Sequence, residues 1–175
     1  MNPISYKLAR QMIEDGDLIA TRRVHGLFGL LTRGTTGVYT HTGTAVWIGR
    51  SLWMVEINGG RNHAIPLSQL EHEDFDVYYP PEGLDRRRIK REAIESIRVR
   101  VDYGFIATVV TGVVEFFNLP VVINWRNYLH CAGYSIRIYD QAGWDANGTH
   151  SYITSPTKLA SMLRLKFKIK GSKSS

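Results

Sequence analysis

The chain carries one cysteine, Cys131, in the run NWRNYLHCAGYSIRIYDQAG. A lone cysteine packs as a small hydrophobe unless something favours its thiolate. A helix N-terminus and a nearby histidine are the usual means, and together they make a nucleophile. The residues around Cys131 read as the start of a helix, with Asn127 as its expected cap. The adjacent His130 is a poor base on this reading. Neighbours on a helix point about 100° apart, so its ring is expected to face away from the sulfur.

A better base lies upstream. The runs VYTHTGTAVWIG and LWMVEINGG read as two strands of a hairpin with Gly49 and Arg50 at the turn. In that register residue 41 pairs with 58 and 43 with 56, which puts His41, Glu56 and Asn58 on one face. Val46, Ile48, Val55 and Ile57 take the other, expected to be the core side. Diagonal neighbours lie roughly 7–8 Å apart at Cα, within reach of long side chains. A histidine oriented by Glu56, or by Asn58 in its place, is half of a Cys–His–acid site, and a one-residue slip would break it. The expectation is that the Cys131 sulfur lies within about 4 Å of a His41 ring nitrogen. The three side chains should line a groove open to solvent, beside apolar residues drawn from 105–117. The six histidines include no pair with ligand spacing and there is no second cysteine, so neither a metal nor another cofactor is expected.

Other elements must position these residues. NPISYKLARQMIEDG reads as a helix capped by Asn2, with Pro3 in its first turn and Ile4, Leu8 and Met12 on one face. GDLIATRRV, FDVYYPP and LRLKFKI read as strands, and HGLFGLLTRGTTG as a loop. LDRRRIKREAIESIRVRV spaces Ile89, Ala93, Ile97 and Val101 for a helix with a basic opposite face. SPTKLASML is a short helix with Ser155 as N-cap and Pro156 in its first turn. FIATVVTGVVEFFNLPVVI is nearly long enough to span a bilayer, but Glu115 and Pro120 interrupt it. It reads as a buried helix with a short extended piece, or as an apolar wall beside a site for greasy substrates. The fold class is α+β, helices packed on an antiparallel sheet.

At 175 residues with 43% hydrophobic composition the chain fits one domain, expected over 1–170 with a disordered tail at 171–175. One cysteine excludes an intrachain disulfide framework. The N-terminal run lacks a signal-peptide pattern, so the protein is expected to be made in the cytoplasm. A net charge of +6, clustered in LDRRRIKRE and RLKFKIKGSKSS, points to an anionic partner or surface. Neither interleaved aromatics nor a groove-reading motif accompanies it, so no specific nucleic-acid partner is expected. Nothing in the sequence bears on oligomeric state.

The order GDLI, HTGTAVWIG, LWMVEINGG, a helix ending near DYG, and then YLHCAGYS resembles the circularly permuted, YiiX-like branch of the NlpC-type papain-like cysteine peptidases and amidases. The resemblance covers roughly 16–165. It implies a circularly permuted papain-like fold in which His41 is the general base, Glu56 orients it and Cys131 is the nucleophile, its backbone N–H contributing to an oxyanion hole. The family's tyrosine–aspartate pair has its counterpart in Asp102 and Tyr103, in reversed order, as implied substrate-binding residues. The family's serine–glutamate pair after the cysteine is replaced by Ala132 and Gly133. Cleavage of peptidoglycan peptide amides is the implied activity, with acyl transfer or hydrolysis on lipids as the alternative. A non-catalytic binding module is a third reading. Reaching a cell wall without a leader would require lysis or assembly into a virion, and a lipid substrate would bring the chain to a membrane surface.

Overall fold

A computed structural model of the protein describes residues 2–22, 37–58, 61–103, 128–145 and 154–172. Its strands are β1 (Leu18–Thr21), β2 (His41–Ile48), β3 (Ser51–Asn58), β4 (Arg61–Pro66), β5 (Phe75–Tyr78), β6 (Asp102–Tyr103), β7 (Tyr128–Leu129) and β8 (Leu165–Ile169). They join one sheet in the order β7-β6-β4-β3-β2-β1-β5-β8. Every neighbouring pair is antiparallel except β6 and β7. Helices α1 (Tyr6–Ala9), α2 (Arg86–Arg98), α3 (Cys131–Gln141) and α4 (Pro156–Ser161) complete the α+β fold.

The β2–β3 hairpin has the expected register. Its pairs run from Thr44↔Val55 to Ile48↔Ser51 around Gly49 and Arg50. Its faces differ from expectation, because apolar layers cover the sheet on both sides. Val46, Val55 and Ile57 pack with Ile89 and Ala93 of α2, with Ile138 and Tyr139 of α3, and with Leu159 of α4. Ala45, Leu52 and Met54 pack with Tyr6 and Ala9 of α1 and with Leu67 and Leu70 of a 3-10 turn after β4. Ile48, assigned to the core from the sequence, is 44% exposed at the hairpin end.

α1 is a single turn whose N-cap position is Ser5, not Asn2, and the Ser5 side chain makes no cap hydrogen bond. It buries Tyr6 and Ala9 and leaves Leu8 and Met12 exposed. α2 behaves as its spacing predicts, with the Asp85 side chain accepting from the Arg87 N–H at its start and Ile89 and Ala93 buried. Ser155 caps α4 by accepting from the Lys158 N–H. Gly171 and Ser172, placed in the tail from the sequence, are tied down: the Gly171 N–H donates to Asp74 and the Ser172 N–H to the Glu71 carbonyl. The segment expected as a buried helix with a short extended piece at 105–123, and the loop at 25–37 apart from Gly37, lie outside the described residues.

The GD turn before β1 binds three elements together. Gly16 takes a φ of 88° and its N–H donates to the Ala45 carbonyl. Asp17 is fully buried, and its carboxylate meets Arg86 of α2 and Lys166 of β8, each at 2.9 Å. The Tyr139 hydroxyl of α3 donates to the Gly16 carbonyl at 2.9 Å.

Candidate active site

Cys131 is the first residue of α3. The strand β7 runs directly into it through His130, whose extended backbone (φ −95°, ψ 175°) makes it the N-cap. The first N–H groups of a helix have no acceptor within it and favour negative charge nearby. The Cys131 N–H is one of them. Packing of α3 on β2 and β3 then sets the thiol beside the hairpin.

His41 opens β2 and holds both partners. Its Nε2 lies 2.7 Å from Glu56 Oε2. His41 also pairs with the Cys131 thiol, through charge and a hydrogen bond. Glu56 is buried, with 4% of its surface exposed. Asn58, the alternative orienting residue, is exposed at the end of β3 across from Arg61. Glu56 alone takes that role.

The electrostatics favour an ion pair. Burial pushes the Cys131 thiol up, but the charge of His41, the nearness of His130 and the His41 hydrogen bond outweigh it and bring the thiol down to about 5. Burial pulls His41 down, but the charge and hydrogen bond of Cys131, with those of Glu56, carry it up to about 10. Near neutrality the pair is thus thiolate and imidazolium.

Two expectations fail here. His130 does not turn away from the sulfur: it lies close enough to lower the thiol. Its Nδ1 accepts from the Gly133 N–H at 3.4 Å, while its buried Nε2 has no partner at hydrogen-bonding distance. It acts on the thiol through a hydrogen bond and its charge, and Glu56 orients His41 rather than His130. Nor does the thiol line an open groove among the described residues. Cys131 is 6% exposed, and what exposure the three side chains keep is chiefly at His41, 17%. Asp102 and Tyr103 form β6, with Asp102 across from Arg61; their side chains, like residues 105–117 and Asn127, lie outside the described residues.

Sequence reasoning missed His63. It stands directly across from Glu56 on β4, and its Nε2 lies 3.1 Å from Glu56 Oε1. The signal was available in Asn58-Gly59-Gly60, a hairpin dipeptide pattern between two strands. A cleft of about 730 Å³, lined in part by Tyr79, Arg86, Trp144 and Arg164, lies at the other end of α3 from the thiol. That is a helix length of roughly 16 Å away.

No protein-family model matches the chain, and no curated protein matches it. The architecture nevertheless has a counterpart among solved structures and places the chain with YiiX-like α+β proteins in fold. The crystal structure of metalloprotein yiiX from Escherichia coli O157:H7, DUF1105, superposes with a TM-score of 0.54 at 15% identity, over 91% of this chain and 89% of that one. At that identity the likeness shows a shared fold. Among the described residues, no group of three or more His, Cys, Asp or Glu side chains is placed to hold a metal ion. The donors run instead as a chain, from thiol to His41 to Glu56 to His63, which does not fit a metal cage.

Proposed function

We propose that the chain is a cysteine hydrolase of the circularly permuted papain-like type, cleaving amide bonds through Cys131, His41 and Glu56. The observation that carries this is His41 held between a buried carboxylate at 2.7 Å and the sole thiol, which opens a helix. In the reaction the Cys131 thiolate attacks the substrate carbonyl carbon, and the oxygen takes up charge facing the Cys131 N–H. His41 gives its proton to the leaving amine as the C–N bond breaks, leaving a thioester on Cys131. His41 then removes a proton from water, which attacks the thioester; the acid departs and the thiolate returns with His41 protonated. Glu56 keeps the ring in the tautomer and orientation both steps need.

Peptidoglycan peptide amides are the favoured substrate class, consistent with the basic surface and with the family resemblance of the HTG and HCAG runs. Purified protein incubated separately with peptidoglycan and with phospholipid vesicles, with products read by mass spectrometry, tests this. Newly released peptides from peptidoglycan, lost in Cys131→Ala and His41→Ala, are the expected result. Released fatty acid or transferred acyl groups would replace the substrate class. A Cys131 that alkylates with iodoacetamide at pH 6 no faster than an ordinary free thiol would sink the hydrolase reading and leave a binding module.

A further inference from the structure

Glu56 serves two histidines, one with each oxygen. His41 Nε2 meets Oε2 at 2.7 Å and His63 Nε2 meets Oε1 at 3.1 Å. The other nitrogen of His63, Nδ1, lies 3.1 Å from the Arg61 carbonyl oxygen. Both nitrogens of His63 therefore face acceptors. A neutral imidazole has one N–H and one lone pair and satisfies only one of them, whereas the imidazolium donates to both.

The charge balance points the same way. The Glu56 carboxylate is buried, and a buried charge is stabilised by charges of opposite sign around it. An imidazolium at His63 supplies one of them at the second oxygen, and its side chain, 36% exposed, can exchange protons with water. Its surroundings offer no competing role among the described residues. Glu56 faces it from β3, Arg61 neighbours it on its own strand, and Asp102 of β6 lies across from Arg61. α2 meets β4 through the alternate face, where Asn62 donates to the Ser96 and Val99 carbonyls.

We propose that His63 is a positioning residue for the reaction, holding the second oxygen of Glu56 as an imidazolium and so fixing the carboxylate that orients His41. This rests on the hydrolase reading and extends it to a fourth member. Without the cation, Glu56 makes the site more negative, which disfavours the thiolate and strengthens the hold of His41 on its proton.

The test is the rate of Cys131 alkylation by iodoacetamide against pH, with thermal unfolding measured alongside. His63→Ala and His63→Gln are expected to move the acid limb of the profile up by about half to one pH unit, slowing alkylation below it about three- to tenfold, and to leave the upper limb, which lies above the histidine range, in place. His63→Lys, which keeps a positive charge, is expected to hold the acid limb near the wild type. His63→Gln keeps the bulk of the side chain and decides the matter if His63→Ala does not fold. An acid limb unmoved in the neutral variants, even with lowered unfolding temperatures, would overturn the proposal and leave His63 a strand residue. An ordinary free-thiol profile in the wild type would overturn the hydrolase reading and this relay together.

Discussion

A thiol and an imidazole that exchange one proton early act as a unit over a defined range of pH. The folded Cys131 thiol is lowered to about 5, so its thiolate is lost as pH falls through that value. His41 is raised to about 10, so its cation is lost as pH rises through that one. Alkylation of Cys131 should therefore show a plateau between about pH 5 and 10, where an ordinary thiol would still be climbing toward its titration near 8.5. His130 contributes to the lower limb without belonging to the pair. His130→Ala should raise that limb while leaving the upper one to His41 and Glu56. It should also cost about 0.5–1 kcal/mol of stability through the lost cap, read by urea denaturation. The sequence argument about His130 failed for a physical reason. The 100° rule relates residues inside a helix, and His130 is the cap, with extended backbone.

At the scale of elements, the site depends on how closely β2 and β3 approach. Gly43, in the HTG run, has no room for a side chain: a Cβ there would lie 2.6 Å from Met54 Cε and 2.8 Å from the Val55 carbonyl oxygen. The methionine end can yield, but the carbonyl belongs to the strand that carries Glu56 next to it. Gly43→Ala should cost about 1–3 kcal/mol in urea denaturation by overpacking. It should also slow alkylation at pH 6, because displacing β3 loosens the Glu56 hold on His41. An unchanged alkylation profile would show that the hairpin adjusts without moving the carboxylate. This hairpin was readable from the sequence because alternation and a glycine turn agreed with each other. β4 was not, since RNHAIP alternates weakly and ends in proline, and with it went His63. The faces of the sheet were misread because alternation was taken to mean one buried side, while α1 and the 3-10 turn cover the other.

Over the whole molecule the net charge of +6 is not all available to a partner. Arg86 and Lys166 are committed to Asp17, Lys90 to Asp15 and Arg22 to Asp76. The basic run that reads as one solvated helix face is thus divided: Arg86 and Lys90 bind α2 to the GD turn, while Arg87, Arg88 and Arg91 are exposed. Among the described residues no helix is long and apolar enough to cross a membrane. Attraction to an anionic surface through exposed charges is screened by salt, the Debye length falling from about 10 Å at 0.1 M to about 3 Å at 1 M. Sedimentation with peptidoglycan should therefore weaken as salt rises, and Arg87→Glu with Arg91→Glu should weaken it further at low salt while leaving Cys131 alkylation unchanged. Binding indifferent to salt would place recognition elsewhere on the surface.

The lock on Asp17 spans nearly the length of the chain. Its carboxylate, fully buried, meets Lys166 on β8, and the Gly16 carbonyl beside it anchors α3 through Tyr139. A ribosome delivers these parts in order, so the nascent chain exposes Cys131 before the strand that completes the anchor has been made. Until β8 arrives, Asp17 lacks one of its cations and β5 lacks its outer neighbour. The last cation of the turn that anchors α3 is therefore made after the helix itself.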